Sequence, residues 1–344
     1  MNAAAFFETL IKIAVVFGAI LTAVAYMSLA ERKVSGWIQD RIGPNRVGPW
    51  GLLQPLADGI KFIMKEEVIP SHVHRPLYMA APALVMIPAM CAFAVIPFGD
   101  RLWIGDRQVR LIIADLNIGI LFILAVASVG VYGVVLAGWS SNNKYAMLGG
   151  LRSSAQMISY ELGLGLSLVG VLMASGSLRL PEIVASQEGL QGWYIWSQPL
   201  GFLVFLVCAF AETNRLPFDL AEAETELVAG YHTEYSALKF SMFYMAEYAN
   251  MITASALMVT LFFGGWQLPF PASWLGLEGN QLALAQVACF VLKISFFLFL
   301  YIWVRWTLPR FRYDQLMRLG WKVLLPAALI NLVWVGIGIA EGWM

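Results

Sequence analysis

Six carboxylates crowd the stretch Glu212–Tyr235: Glu212, Asp219, Glu222, Glu224, Glu226 and Glu234, with Arg215 as the one internal cation. Two long apolar segments flank the stretch. Pro217 stops a helix arriving from before it. Asp219 and Glu222 stand in N-cap and N3 spacing, so the pattern predicts a helix starting there. On that helix Glu222 and Glu226 share a face, and Glu234 continues it two turns on. Like charges at this spacing repel by roughly 0.2–0.5 kcal/mol per pair in water, and by more where the ionised form loses solvation. A solvated loop whose acids favour a helix N-terminus accounts for Asp219 and Glu222. It accounts poorly for Glu226 and Glu234. Acids that share protons or face a cation fit the whole set better, because the neighbouring apolar segments carry acids too.

Glu161 lies nine residues beyond Arg152, about 14 Å along a helix and well inside a hydrocarbon layer. Glu247 lies eleven residues beyond Ser236, at similar depth from the same face. Glu212 closes its own apolar segment, and Lys293 sits within a later one. A charged residue at a spanning-helix centre costs about 2.5–3.5 kcal/mol on insertion scales. Such residues face the bundle interior and mark proton or ion paths. A structural pair between Lys293 and Glu247 would account for one acid. The carboxylates left over would be held protonated, and an acid that can be neutral in lipid suits a proton relay. Glu161 has no cation within two turns along its own helix. Gly165, one turn away, would admit a close helix.

These residues need a membrane to hold them. The chain has 344 residues, 60% of them hydrophobic and 13% charged, and mean hydropathy is +0.71. The fold class expected is all-α: a polytopic membrane protein, a single integral membrane domain over 1–344. Eight spans of about 20 residues are expected, with cores near 10–30, 77–98, 116–138, 154–175, 195–212, 238–264, 283–304 and 322–340. Pro82 and Pro88 should kink the second. Fifteen Lys and Arg fall in the odd loops against four in the even ones, Arg101, Arg107, Arg110 and Arg179. That asymmetry places 31–76 and the acidic loop 212–237 in the cytoplasm and both termini outside. Leu52, Leu53, Leu56, Ile60 and Ile63 recur at helical spacing with Asp58, Lys61 and Lys65 mostly opposite, which predicts an interfacial amphipathic helix over 52–65. Gly105-Asp106 between short runs predicts a small external hairpin.

Zero formal net charge gives nucleic acid no footing. Cys91, Cys208 and Cys289 have no metal or disulfide spacing and read as packing residues. His72, His74 and His232 all fall in loops, where they could not ligate a membrane haem. No dinucleotide or phosphate loop is present. Gly163 and Gly165 read as helix-packing residues. The N-terminus lacks a basic n-region and its apolar run is long enough to span.

Four loop motifs then carry a resemblance. The first loop has Glu31-Arg32-Lys33, then Gln39-Asp40-Arg41-Ile42-Gly43-Pro44-Asn45-Arg46-Val47-Gly48, then Gly51-Leu-Leu-Gln-Pro-Leu-Ala-Asp58-Gly-Ile-Lys61. The third has Gly138-Trp-Ser-Ser-Asn-Asn-Lys144-Tyr leading to Leu151-Arg152-Ser-Ser-Ala-Gln156-Met-Ile-Ser159-Tyr160-Glu161. The fifth has Ala211-Glu212-Thr-Asn-Arg215-Leu-Pro217-Phe218-Asp219, and the seventh Pro309-Arg310-Phe311-Arg312-Tyr313-Asp314-Gln315-Leu316-Met317. Together they resemble, over nearly the whole chain, the family of quinone-tunnel membrane subunits of respiratory complex I, the proton-pumping NADH:quinone oxidoreductase.

The resemblance implies a membrane subunit that joins the membrane arm to the quinone-reducing peripheral arm and forms much of the ubiquinone tunnel. It implies that Arg32, Arg41, Asp58, Arg215 and Phe218 line or support the tunnel. Glu212, Asp219, Glu222, Glu224, Glu226 and Glu234 would form the charged loop beside it, and Glu161 and Glu247 would carry a proton path into the membrane. Arg310, Arg312 and Asp314 would face partner subunits. No cofactor is expected on this chain; ubiquinone is the implied substrate, with flavin and iron–sulfur clusters in partners. The longer external loops point to a bacterial inner membrane rather than an organellar one. Two other classes keep to the same residues: the membrane subunit of a related hydrogenase complex, and a secondary transporter. The transporter would want inverted repeats, and no such symmetry is visible.

Overall fold

The structure is a computed structural model describing residues 3–220, 228–271, 274 and 276–342. It is an all-α membrane bundle with one small hairpin. Helix α1 (Ala3–Ile38) is followed by α2 (Gln54–Met64), α3 (Arg75–Cys91), the strands β1 (Arg101–Ile104) and β2 (Arg107–Arg110), α4 (Gly119–Ser140) and α5 (Lys144–Ser175). Then come α6 (Leu180–Ala185), α7 (Tyr194–Ser197), α8 (Pro199–Glu212), α9 (Ala237–Phe262), α10 (Gly279–Thr307), α11 (Tyr313–Leu319) and α12 (Leu325–Glu341). A π-helical turn, Gly320–Leu324, joins the last two.

Among the described residues six helical stretches are long and apolar enough to cross a membrane: Phe6–Ile38, Arg75–Val95, Gly119–Ser140, Lys144–Ser175, Gly279–Thr307 and Tyr313–Glu341. The other two expected spans are present as helices of different character. α8 has 14 residues. α9 has 26 but is less apolar, because protein surrounds it: it packs against α1, α3, α8 and α10 and buries Lys239 and Thr253. Outer helices do the opposite. Phe7, Ile11, Leu292 and Phe296 are all more than half exposed, a surface that suits lipid.

α1 continues past the expected membrane exit. Its 36 residues reach about 54 Å at 1.5 Å per residue, so Glu31, Arg32 and Ser35 ride on a rigid helix rather than in a loop. Pro82 and Pro88 lie inside α3, which tightens to a 3₁₀ turn over Ala92–Val95. The hairpin turns at Gly105, whose φ of +61° suits glycine. Its strands are antiparallel, with Arg101 opposite Arg110. α2 leaves Leu56, Ile60 and Ile63 exposed, an apolar stripe with no protein over it.

Candidate functional site

Four helices, α1, α2, α9 and α10, line a cavity of about 540 Å³, within the range of small-molecule sites. α1 contributes Leu21, Val24, Ala25, Ser28, Glu31, Arg32 and Ser35, which recur at steps of three and four and so share one helix face. α2 contributes Pro55, Asp58, Gly59 and Phe62, the side turned away from its exposed stripe. α9 contributes Phe240, Ser241, Tyr244, Met245 and Tyr248, and Arg305, Trp306 and Arg41 complete the wall. Most of this surface is apolar or aromatic. Arg41 apart, the charges gather in two groups.

In the first, Arg32 pairs with Asp58 at 2.8 Å, and Gln54 Nε2 donates to the same carboxylate at 2.9 Å. In the second, buried Glu31 is the hub. It accepts from Arg215 Nη1 at 3.1 and 3.2 Å and from Tyr248 Oη at 2.7 Å, and it pairs with Arg305. Arg215 also pairs with Glu247 and lies over the Tyr248 ring, 4.6 Å from its centroid. Burial alone disfavours the guanidinium charge, but the carboxylates of Glu247 and Glu31 outweigh it and hold Arg215 firmly protonated, its pKa above the ordinary value.

Behind Arg215 lies a second cavity of about 40 Å³, walled in part by Glu212, Asn214, Tyr231, Glu247 and Asn250. A water needs roughly 10–15 Å³ on this measure and two or more polar partners, so two or three waters fit. Arg215 thus stands between Glu31 in the wall of the large cavity and Glu247 in the wall of the small one.

The local fold explains how the fifth loop reaches this position. α5 offers Gly149, where a Cβ would come within 2.7 Å of Gly230 Cα and Tyr231 N; two glycines let the chain lie on the helix. Gln156 Nε2 holds the loop by donating to the carbonyls of Ala211 at 2.7 Å and Phe218 at 2.8 Å. The seventh loop closes over it: Phe311 N donates to Pro217 O at 3.0 Å, and Arg310 binds Asp219 at 2.9 Å. Phe218 stacks on Phe311, 5.4 Å between centroids.

The expected site residues therefore separate. Arg32, Arg41 and Asp58 line the large cavity. Arg215 and Phe218 do not: Arg215 lies one carboxylate behind it, and Phe218 packs between loops five and seven. Glu212 and Glu247 share the small cavity. Glu161 lies outside both and hydrogen-bonds Ser128 on α4. Asp219 and Arg310 pair within the chain, whereas Arg312 and Asp314 are exposed, 3.7 Å apart. Glu222, Glu224 and Glu226, with the helix expected to start at Asp219, fall outside the described residues.

Three expectations need correction. Glu234 does not continue a helical stripe, because 228–234 runs as turns and one 3₁₀ turn, with positive φ at Val228 and Gly230. Its side chain accepts instead from Asn143 Nδ2 at 2.7 Å. Lys293 does not pair with Glu247. It donates to the carbonyls of Phe263, Gly265 and Gln267 beyond the far end of α9, about 24 Å along that helix from Glu247. Gly165 has nothing within 4 Å of its Cβ position, whereas at Gly163 the Cys208 sulfur lies 3.0 Å away. Gly163 alone of the two seats a neighbouring helix.

Reading by charge also passed over Glu31, Ser28, Tyr244, Tyr248 and Arg305. For the first four the signal is periodic, small and polar residues at three–four spacing on one face of α1 and aromatics at similar spacing on α9; Arg305, on α10, has no such signal.

The family model described as NADH dehydrogenase matches residues 11–336. An H-type NADH-quinone oxidoreductase subunit of Cytophaga hutchinsonii is 52% identical over 329 residues, covering 96% of each chain. The H-type NADH-quinone oxidoreductase subunit of Leptospira biflexa is 54% identical over 347 residues, covering 97% of this chain and 96% of its own. Another, from Koribacter versatilis, is 54% identical, covering 96% of each. The chain belongs to the NADH dehydrogenase family, as a multi-pass membrane subunit of the NADH-quinone oxidoreductase kind.

Proposed function

We propose that the chain forms the quinone chamber of a proton-translocating NADH:quinone oxidoreductase in a bacterial inner membrane, and the first part of its proton path. The observation that carries this reading is Arg215, shared between a carboxylate in the large cavity wall and one in the small. The aromatic and aliphatic walls of the large cavity suit an apolar quinone, and the uncovered stripe of α2 suits the membrane surface from which it would enter. Soluble and membrane-arm subunits of the same complex are the partners. Flavin and iron–sulfur clusters belong to them and would pass on the two electrons given up by NADH; two protons complete the quinol.

Negative charge developing on the quinone competes with Glu31 for the cations around it, Arg305 and Arg41 among them. A weakened hold of Glu31 on Arg215 tightens the pair with Glu247, and the reverse loosens it. Glu247 then exchanges a proton through the small cavity with Glu212, and Glu161 continues the relay into the membrane. Asp219 and Glu234 fix the loop, through Arg310 and Asn143.

The test fills the chamber. Gly59 lines the cavity and has nothing within 4 Å of its Cβ position. Gly59→Phe therefore projects into the cavity from a helix that gains propensity by the change. The expected result in assembled complex is a rise of about tenfold in quinone KM, with electron transfer from NADH to artificial acceptors intact. Gly18→Phe on α1, equally open but off the cavity, is the control. An unchanged quinone KM in Gly59→Phe overturns the chamber assignment.

A further inference from the structure

Ser128 lies on α4 facing α5. Its hydroxyl is within reach of two acceptors: the Leu124 carbonyl one turn back, at 3.0 Å, and the Glu161 carboxylate. A hydroxyl has one hydrogen and two lone pairs, so it serves one acceptor at a time. Serines in helices commonly bond back to the carbonyl four residues earlier. Here the second partner is an acid on another helix, half-buried like the serine itself.

The two acceptors divide the work by protonation state. When Glu161 is ionised, its carboxylate is the stronger acceptor and takes the Ser128 hydrogen. When Glu161 is protonated, its own O–H donates to Ser128 Oγ, and the serine hydrogen turns to Leu124 O. Each state keeps a complete set of hydrogen bonds, and one bond rotation connects them. No proton passes between the two residues. From α8 the Glu212 carboxyl interacts electrostatically with Glu161; α4 supplies the neutral hydroxyl.

We propose that Ser128 is a positioning residue for Glu161: a hydroxyl rotor that satisfies the acid in both of its protonation states, so that gaining or losing a proton requires one side-chain rotation rather than repacking. This rests on the relay role given to Glu161 above.

The experiment uses assembled complex in native membranes, compared at equal complex content. Ser128→Ala removes the rotor from a helical site where alanine is well tolerated, and Ser128→Thr restores a hydroxyl. Two readouts are followed: the pH profile of proton pumping, and the infrared carbonyl stretch of protonated Glu161, assigned by its disappearance in Glu161→Gln. Loss of one charge-assisted hydrogen bond should displace the pH profile by about one unit, a roughly tenfold change in proton affinity. It should also move the carbonyl band to higher frequency, and Ser128→Thr should return both towards wild type. An unmoved band and profile in Ser128→Ala, with pumping abolished by Glu161→Gln, overturns the rotor and leaves the relay standing. Unimpaired pumping in Glu161→Gln overturns the relay itself. Loss of pumping in Ser128→Ala without recovery in Ser128→Thr shows packing rather than positioning. The infrared reading is per complex, so it decides the matter even where content falls.

Discussion

Arg215 Nη1 bridges both carboxylate oxygens of Glu31, at 3.1 and 3.2 Å, across 184 residues of sequence. The same guanidinium is paired with Glu247, and Arg305 with Glu31. Two acids and two arginines thus balance in a part of the bundle where Glu31 and Arg215 are 6% and 4% exposed. Such a cluster is tolerated because every charge has a partner; taking one away strands the rest.

Arg215→Ala should therefore cost about 3–5 kcal/mol, the usual penalty for breaking a buried pair from one side. The assembled complex should be nearly lost from membranes. Arg215→Lys should recover part of it, because an ammonium keeps the charge but lacks the planar fork that meets two carboxylates at once. Complex content by native electrophoresis and thermal unfolding of the solubilised complex are the measurements. Normal content in Arg215→Ala would show that Glu31 and Glu247 find other partners.

This cluster marks a limit of what the chain discloses before folding. The helices were legible because long apolar runs have few alternatives, and the hairpin because Gly105-Asp106 separates two short runs. Arg32, Arg41 and Asp58 could be named from their loop motifs. Glu31 stands in the same motif without a role, because a charge next to Arg32 and Lys33 reads as the end of a span; its burial depends on α1 continuing to Ile38 and on Arg215 and Arg305 arriving from elsewhere. The faces of α1 and α9 carry a visible three–four rhythm, yet lipid-facing residues of a membrane helix are apolar too, so the rhythm does not say which face meets a cavity. Lys293 stands out in the sequence as a cation within a span, but its partners are backbone carbonyls, which leave no mark in a sequence.

His232 supplies a pH dependence. Its ring lies in the turn after Gly230, against Tyr231, Phe240 and Tyr244. Burial pushes its pKa down to about 4 from an ordinary 6.5. Between those values the unfolded chain binds a proton that the folded chain refuses. Stability from this group is thus complete above pH 6.5 and declines as pH falls towards 4, by a total on the order of 3 kcal/mol. His232→Phe keeps an aromatic body in the same contacts and removes the titration. Its thermal stability should fall less steeply than wild type across that window. Parallel profiles for the two proteins would show that His232 takes up its proton without cost.

Lys293 gives the sharpest separation between a structural charge and a path residue. Its Nζ donates to Phe263 O at 2.7 Å, Gly265 O at 3.0 Å and Gln267 O at 2.8 Å, and sits 4.5 Å from the centroid of the Trp193 ring. Three carbonyls released by the end of α9 thus close on one ammonium, which has three hydrogens to give. Lys293→Met keeps most of the stem and strips the Phe263 and Gly265 carbonyls of their ammonium donor, leaving Gln267 O only the weak Cys289 Sγ donor at 3.6 Å. At about 1–3 kcal/mol for each buried group left unsatisfied, and with part of that recovered by relaxation, the expected loss is about 3 kcal/mol. It should appear as a lower unfolding temperature of the solubilised complex. Quinone KM should not change, because Lys293 lies outside the walls of the large cavity, and pumping per quinol formed should stay at the wild-type ratio in the complex that remains. A pumping defect at undiminished stability would reverse the assignment, placing Lys293 in the proton path and making its three carbonyl bonds incidental.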